Sequence, residues 1–290
     1  MGAYGMFLVS GLAVGALYAL GGVGLVILNR ATGVLNFAYG AIGAVGAMSA
    51  WQLLAWKLPE PLAWGGCLAV SLLLSLGFGL LVAPGLAKRE PVVKAVATLG
   101  FALCLLGLMN LLWVVTPRKL SLFSDMTSVD LLGMRVNGTR LIALVTGLVV
   151  TLGMGIYLAR TRMGLLMRSL ADNREVASVL GIPIQRVEAV AWGLSGLLAG
   201  FTGLMFGDLV RLDPAVLTSL VIPMIATTVV GRLQSIPVTF CAGLMIGVIE
   251  SMLTLVKPLA PLRVAAPFVI AILALMWLQR GRQLTFSGED

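Results

Sequence analysis

The 290-residue chain contains no histidine, and only 11% of its residues are charged. A soluble domain carries roughly 25% charged residues. So little polar surface cannot keep a chain of this length in water. The missing histidine removes zinc-protease motifs, histidine proton relays and Ser-His-Asp triads in one step. The acidic side is thin as well, with 12 Asp and Glu together. No paired acidic constellation lies at one depth of the chain, so an intramembrane enzyme would lack a nucleophile and base in mutual reach. The three cysteines, Cys67, Cys104 and Cys241, all stand inside apolar runs. Their spacing matches no metal site, and the expectation is packing thiols with no disulfide and no metal. No G-x-x-x-x-G-K-[ST] occurs either, which excludes ATP binding through a P-loop.

The formal net charge is +8. The basic residues form short clusters between apolar runs and no continuous stripe, which reads as topology signals and not as a nucleic-acid surface. The N-terminus, Met1-Gly2-Ala3-Tyr4-Gly5, enters an apolar run without a basic residue. It lacks the charged leader of a cleavable signal peptide, so the first span is expected to be retained.

What the chain does have is hydrophobic length, 59% of all residues. A helix crosses a bilayer with about 20 apolar residues, because each adds only about 1.5 Å. Apolar runs at 5–28, 33–56, 62–87, 92–116, 141–159 and 187–207 predict six spans. Beyond Asp213-Pro214 a short run, 216–230, precedes Gly231-Arg232-Leu233-Gln234-Ser235 and a longer run, 236–256, with a last one at 264–278. The short run is brief for a crossing and predicts a half-helix or re-entrant element. The fold class is therefore an all-α polytopic transmembrane bundle of about 8 to 10 membrane segments, forming a single membrane domain over 1–290. Glycines at helix spacing (Gly196 and Gly200, Gly203 and Gly207, Gly243 and Gly247, and the series Gly40, Gly43, Gly46) predict buried faces where backbones approach closely.

One stretch differs from the rest. Residues 160–186 hold Arg160, Arg162, Arg168, Arg174 and Arg186 close to span ends, which places this stretch in the cytoplasm. Asp172-Asn173-Arg174-Glu175 fits a capping box with Asp172 as cap and Glu175 reaching back. Gly181 and Pro183 supply the stop. The result is a helix of about two turns over 172–180, with Val176, Val179 and Leu180 on one face. So short a helix is marginal alone and needs either its own bundle or another protein to hold it. An ordinary loop helix lying on the membrane is the alternative.

The run from Arg168 through Ile182, followed by Arg186-Val187, resembles the cytoplasmic coupling loop of permeases from branched-chain amino acid ABC importers. Gly33-Val34-Leu35-Asn36-Phe37-Ala38-Tyr39-Gly40-Ala41 is similar to that family's second membrane segment, where members usually carry His at the position of Tyr39, a departure that bears on the pore lining. Ala191-Trp192-Gly193-Leu194-Ser195-Gly196 and the Gly231 to Pro237 segment also resemble family segments in the same order, so the likeness spans nearly the whole chain. The resemblance implies a non-catalytic translocation subunit in a bacterial inner membrane. Its partners would be a second permease chain, two cytoplasmic ATPase subunits that carry the ATP and Mg, and an external substrate-binding protein. This chain would bind no cofactor itself. Branched-chain amino acids, urea and short amides all fall within the implied substrates. The resemblance also implies that Asp172, Glu175, Val176, Val179, Leu180 and Gly181 form the ATPase-coupling helix.

Polar groups inside spans are costly and mark candidate pathway or structural sites. Asn36, Tyr39 and Thr98 are the pathway candidates, and Asn36 stands in a glycine-rich segment expected to be locally unwound. An amide that pins two helices is the alternative for Asn36. Asn110, Glu188, Glu250 and Arg232 complete the set. Glu188 reads as a carboxylate favoured at a helix N-terminus, and Glu250 as a structural group needing a partner such as Arg or Lys. A secondary carrier that binds an ion through Glu250 or Asn36 is the competing function.

Overall fold

Helix α1, Gly2–Thr32, is the axis of the molecule, with 89% of its most apolar window buried. The computed structural model describes residues 2–87, 89–113, 118, 120, 128–131, 134–255, 258, 263 and 265–279. Around α1 stand α2 (Tyr39–Ala55), α3 (Glu60–Leu81) with the short α4 (Ala83–Leu86), and α5 (Pro91–Leu112). A β-hairpin follows, β1 (Ser128–Leu131) against β2 (Met134–Asn137), paired antiparallel from Ser128 opposite Asn137 to Leu131 opposite Met134. Then come α6 (Gly138–Arg160), α7 (Arg162–Asp172), α8 (Arg174–Val179) and α9 (Ile184–Leu209). The last elements are α10 (Pro214–Ser219), α11 (Val221–Val230), α12 (Ile236–Leu253) and α13 (Ala266–Gln279).

Among the described residues six helices, α1, α3, α5, α6, α9 and α12, are long and apolar enough to cross a membrane. The protein is thus a multi-pass helical membrane protein with a small hairpin added, although the expected span 33–56 gives only the 17-residue α2 and the run 264–278 only the 14-residue α13, neither among those six. Thr116, Val256 and Val264, which bound three of the predicted runs, lie outside the described residues. Burial sorts the helices into layers. α9 is 61% buried in its apolar window, whereas α5 and α6 are only 22% buried and turn long rows of Leu and Val outward, as a lipid-facing helix does.

The run 216–230 is broken into two short helices, α10 and α11. Asp213 caps α10 by accepting from the backbone N–H groups of Ala215 and Val216 at 2.9 and 3.1 Å. Pro223 then has no N–H to give the carbonyl of Ser219, and the helix restarts at Val221. The α10 end lies beside Arg118, which pairs with Leu212 and stacks 4.0 Å over the Trp51 ring. Gln234, just beyond α11, lines a cavity with Arg30 of α1 and Arg174 of the charged stretch.

Glycines set the closest contacts. A Cβ on Gly247 of α12 would come within 2.4 Å of Gly15 Cα on α1, and one on Gly243 within 2.6 Å of Ala19 Cα. On the other side of the core, a Cβ on Gly203 of α9 would meet the Gly43 carbonyl of α2 at 2.2 Å. Hydrogen bonds secure the neighbouring contact of α3 with α9: Ser75 Oγ donates to the Trp192 carbonyl at 2.6 Å, and Cys67 Sγ to that of Gly200 at 3.3 Å. Cys67 is the packing thiol expected of it, whereas Cys104 and Cys241 are exposed on outward faces.

Candidate functional site

The charged stretch folds as two helices. Thr161 caps α7 by accepting from the Gly164 N–H at 3.2 Å, and Gly164, Met167 and Leu170 bury one stripe of it against the bundle. α7 runs through Asp172, so Asp172 ends one helix and does not begin the next. The cap of α8 is Asn173, whose Oδ1 accepts from the N–H groups of Glu175 and Val176 at 3.0 and 3.1 Å. This corrects the expected capping box: Asp172 is no cap, the Glu175 carboxylate makes no bond back to it, and the helix covers Arg174–Val179. Both residues are good caps, and the apolar spacing of α7 decides between them. Thr161 with Met163, Leu166, Met167 and Leu170 is the local signal for α7.

The stop is as expected. Gly181 takes φ +75°, its N–H reaches Ser178 O at 3.1 Å, and the Ile182 N–H reaches Ala177 O at 3.1 Å. Ala177 is the side chain α8 buries, at 1% exposure. Val176, Val179 and Leu180 are 53%, 88% and 72% exposed, so the apolar face points away from the bundle. What holds α8 is an ion pair: Arg174 Nη1 donates to Glu188 Oε1 on the second turn of α9. Glu188 is 9% exposed, and its role is this pairing, beyond the helix-end preference expected of it.

The segment 33–38 leaves the helical conformation, as expected around Asn36. Gly33, at φ +66°, ends α1. Thr98 on α5 then supplies what the bare backbone needs, accepting from the Phe37 N–H at 3.1 Å while its hydroxyl donates to Ala95 O at 2.8 Å. Asn36 Oδ1 accepts from the Ala38 N–H at 3.0 Å, and its Nδ2 is buried with no hydrogen-bond partner. Asn36 and Thr98 thus meet on one segment. Tyr39, at the first turn of α2, points the other way. Its hydroxyl lies against Gly24 of α1, where a Cβ would come within 2.8 Å of it. Tyr39 lines a cavity with Gly43, Thr202, Phe206, Leu217 and Met224, and Leu220 at the break between α10 and α11 also faces it. Asn36 does not line this cavity. Its volume, ≈ 10 Å³, is about the least that holds one water.

Glu250 of α12 accepts from the Tyr18 hydroxyl of α1 at 2.9 Å, and the charge of Arg263 attracts it as well, so a phenol joins the expected cation. Tyr18 in turn packs on Phe206 at 5.5 Å between ring centroids. The sequence carries no spacing signal for this pair, because 232 residues separate its members.

The bundle thus combines glycine-tight helices, an interrupted helix pair beside the Tyr39 cavity and a short helix, α8, with an exposed apolar face. The family of branched-chain amino acid transport system permease components matches residues 7–277, and the chain belongs to that family. It is 28% identical over 246 residues to the probable branched-chain amino acid transport permease protein LivH of Methanocaldococcus jannaschii, covering 80% of this chain and 75% of that one. It is 23% identical over 258 residues to the high-affinity branched-chain amino acid transport system permease protein BraD of Pseudomonas aeruginosa, covering 84% of each. Against the LivH permease of Escherichia coli strain K12 the identity is 20% over 259 residues, covering 84% and 83%. No solved structure matches. The chain is a multi-pass inner-membrane permease.

Proposed function

We propose that this chain is the translocation subunit of an ATP-driven importer for branched-chain amino acids, and that it catalyses no reaction itself. Substrate arrives from an external binding protein. Two cytoplasmic ATPase subunits hold ATP and Mg, and a second permease chain completes the pathway. The observation that carries this reading is the apolar face of α8. Val179 and Leu180 lie exposed on a six-residue helix that is too short to be stable alone, which suits a groove on another protein. The relatives' names carry the substrate class.

The mechanism follows from α9. One end holds Glu188, bonded to Arg174 of α8, and the same continuous helix presents Thr202 and Phe206 to the Tyr39 cavity. Fourteen residues at 1.5 Å each put these ends about 21 Å apart. A displacement of α8 by an ATPase pulls on α9 and shifts the wall of the cavity. The cavity is too small for an amino acid as it stands, so passage requires that shift. The break at Leu220 gives the facing wall a place to bend. Apolar side chains around Tyr39 and Thr202 suit an aliphatic substrate. Asn36, with a buried and unpartnered Nδ2, and Thr98 hold the segment leading to it. Glu250 does not line the cavity and is spent on Tyr18, which weighs against an ion-coupled carrier.

The test is Val179→Asp in the assembled transporter. The charge cannot be buried without a partner, so ATPase subunits are expected to co-purify poorly and uptake to fall, with the permease still folded. Undiminished co-purification and uptake would refute the docking role of α8.

A further inference from the structure

The cytoplasmic end of α1 borders a cavity of ≈ 300 Å³ whose polar lining is Asn29, Arg30, Thr32, Lys94, Arg174 and Gln234. A second cavity of ≈ 500 Å³ shares Arg30 and Gln234 and adds Arg168. Four cations therefore converge from α1, α5, α7 and α8. Glu188 is bonded to Arg174, and Asp172 attracts Arg30 while Arg168 repels it. Lys94 feels the repulsion of Arg174 ahead of the attraction of Glu188. Glu90, one turn before Lys94 on the chain, makes no ion pair with it. Neither Arg30 nor Lys94 has a side-chain hydrogen bond or ion pair among the described residues.

A topology signal alone would leave such cations in water at separate helix ends. Here Arg30, Lys94 and Arg174 are each partly buried and aimed into one space. The backbone opposite is strained to face them: Arg232 and Leu233, neither a glycine, take φ +54° and +58°, and the residue they deliver into both cavities is Gln234. Like charges gathered in a half-buried site repel unless an anion joins them.

We propose that this cavity binds a phosphate-type oxyanion at the cytoplasmic membrane face, with Arg30 and Lys94 as its charge partners and the Gln234 amide as a neutral donor. The phosphate of an anionic lipid and free inorganic phosphate share this chemistry. The surface beside Lys94 fits a lipid, because Val92, Val93 and Val96 on α5 are 69%, 44% and 61% exposed and offer an apolar track for acyl chains. This inference does not rest on the identity of the transported substrate.

The experiment uses the full chain in phosphatidylcholine nanodiscs and reads its thermal unfolding midpoint. In one arm part of the lipid is exchanged for phosphatidylglycerol, and in the other inorganic phosphate is titrated. At least one arm is expected to raise the midpoint, and the arm that does so identifies the source. In the double variant Arg30→Gln/Lys94→Gln the apparent affinity for that anion should fall about tenfold or more, whereas Arg89→Gln, an exposed cation outside the cavity, should leave it unchanged. No shift in either arm, or an equal shift in the double variant, overturns the proposal. If the double variant does not fold, Lys94→Gln alone and the loss of the wild-type shift at high salt give the same reading. A shift insensitive to both overturns it.

Discussion

Removing Arg174 should cut the link between α8 and the bundle without touching the exposed apolar face of α8. Glu188 is 9% exposed as a residue, so Arg174→Ala leaves a largely buried carboxylate without its partner. Breaking a fully buried pair costs about 3–5 kcal/mol. The Arg174 side chain is 35% exposed and partly screened by water, which lowers the expected cost to about 1–2 kcal/mol. A loss of that size raises the population with α8 detached by roughly tenfold, since about 1.4 kcal/mol is a factor of ten. The assay is amino-acid uptake per ATP hydrolysed by the assembled transporter in proteoliposomes. Arg174→Ala should lower that ratio several-fold while hydrolysis continues. Glu188→Gln should lower it too, and the double variant Arg174→Ala/Glu188→Gln should be no worse than Arg174→Ala alone, because neither then leaves an unpaired charge beyond the first loss. A wild-type ratio in Arg174→Ala, or strictly additive losses in the double variant, would refute transmission through this pair.

Two further outcomes test the packing that positions the cavity. Thr98→Val keeps the shape of the side chain but leaves the Phe37 N–H without its acceptor. The expected loss is about 1–3 kcal/mol, read as a lower thermal midpoint together with faster hydrogen exchange confined to segment 33–38. Gly247→Val places methyl groups where Gly15 Cα would lie 2.4 Å from a Cβ. It should destabilise the bundle by about 1–3 kcal/mol or more, and an unchanged unfolding midpoint would contradict the α1–α12 contact.

Much of this architecture is legible in local sequence because a membrane restricts the choices. Apolar runs must be helices where water is absent, and Gly243 and Gly247 announce the face they bury because nothing else makes a backbone that accessible. The stop at Gly181-Ile182-Pro183 is equally local. Legibility fails where the deciding contact is distant. Asp172 and Asn173 are equivalent caps by residue type, and the choice falls to Met167 and Leu170 packing α7 against the bundle, which carries α7 through Asp172. Glu188 looks like a carboxylate at a helix start until the fold brings Arg174 to it. Tyr18 and Glu250 stand near opposite ends of the chain and share no pattern. Asn36 shows the intermediate case: its unwound backbone is readable from the surrounding glycine, but Thr98 as the group that pins it, and Tyr39 alone as the one of the three facing the cavity, follow only from tertiary packing.

Uptake by reconstituted protein tests the central claim most directly. Leucine accumulation is measured in liposomes holding either this chain alone or the complete set of permease, ATPase and binding-protein subunits, with ATP and with an imposed ion gradient in turn. The complete set should accumulate leucine only when ATP and the binding protein are both present, and the chain alone should accumulate none. Accumulation by the chain alone, driven by the ion gradient, would contradict the role assigned to α8 and α9.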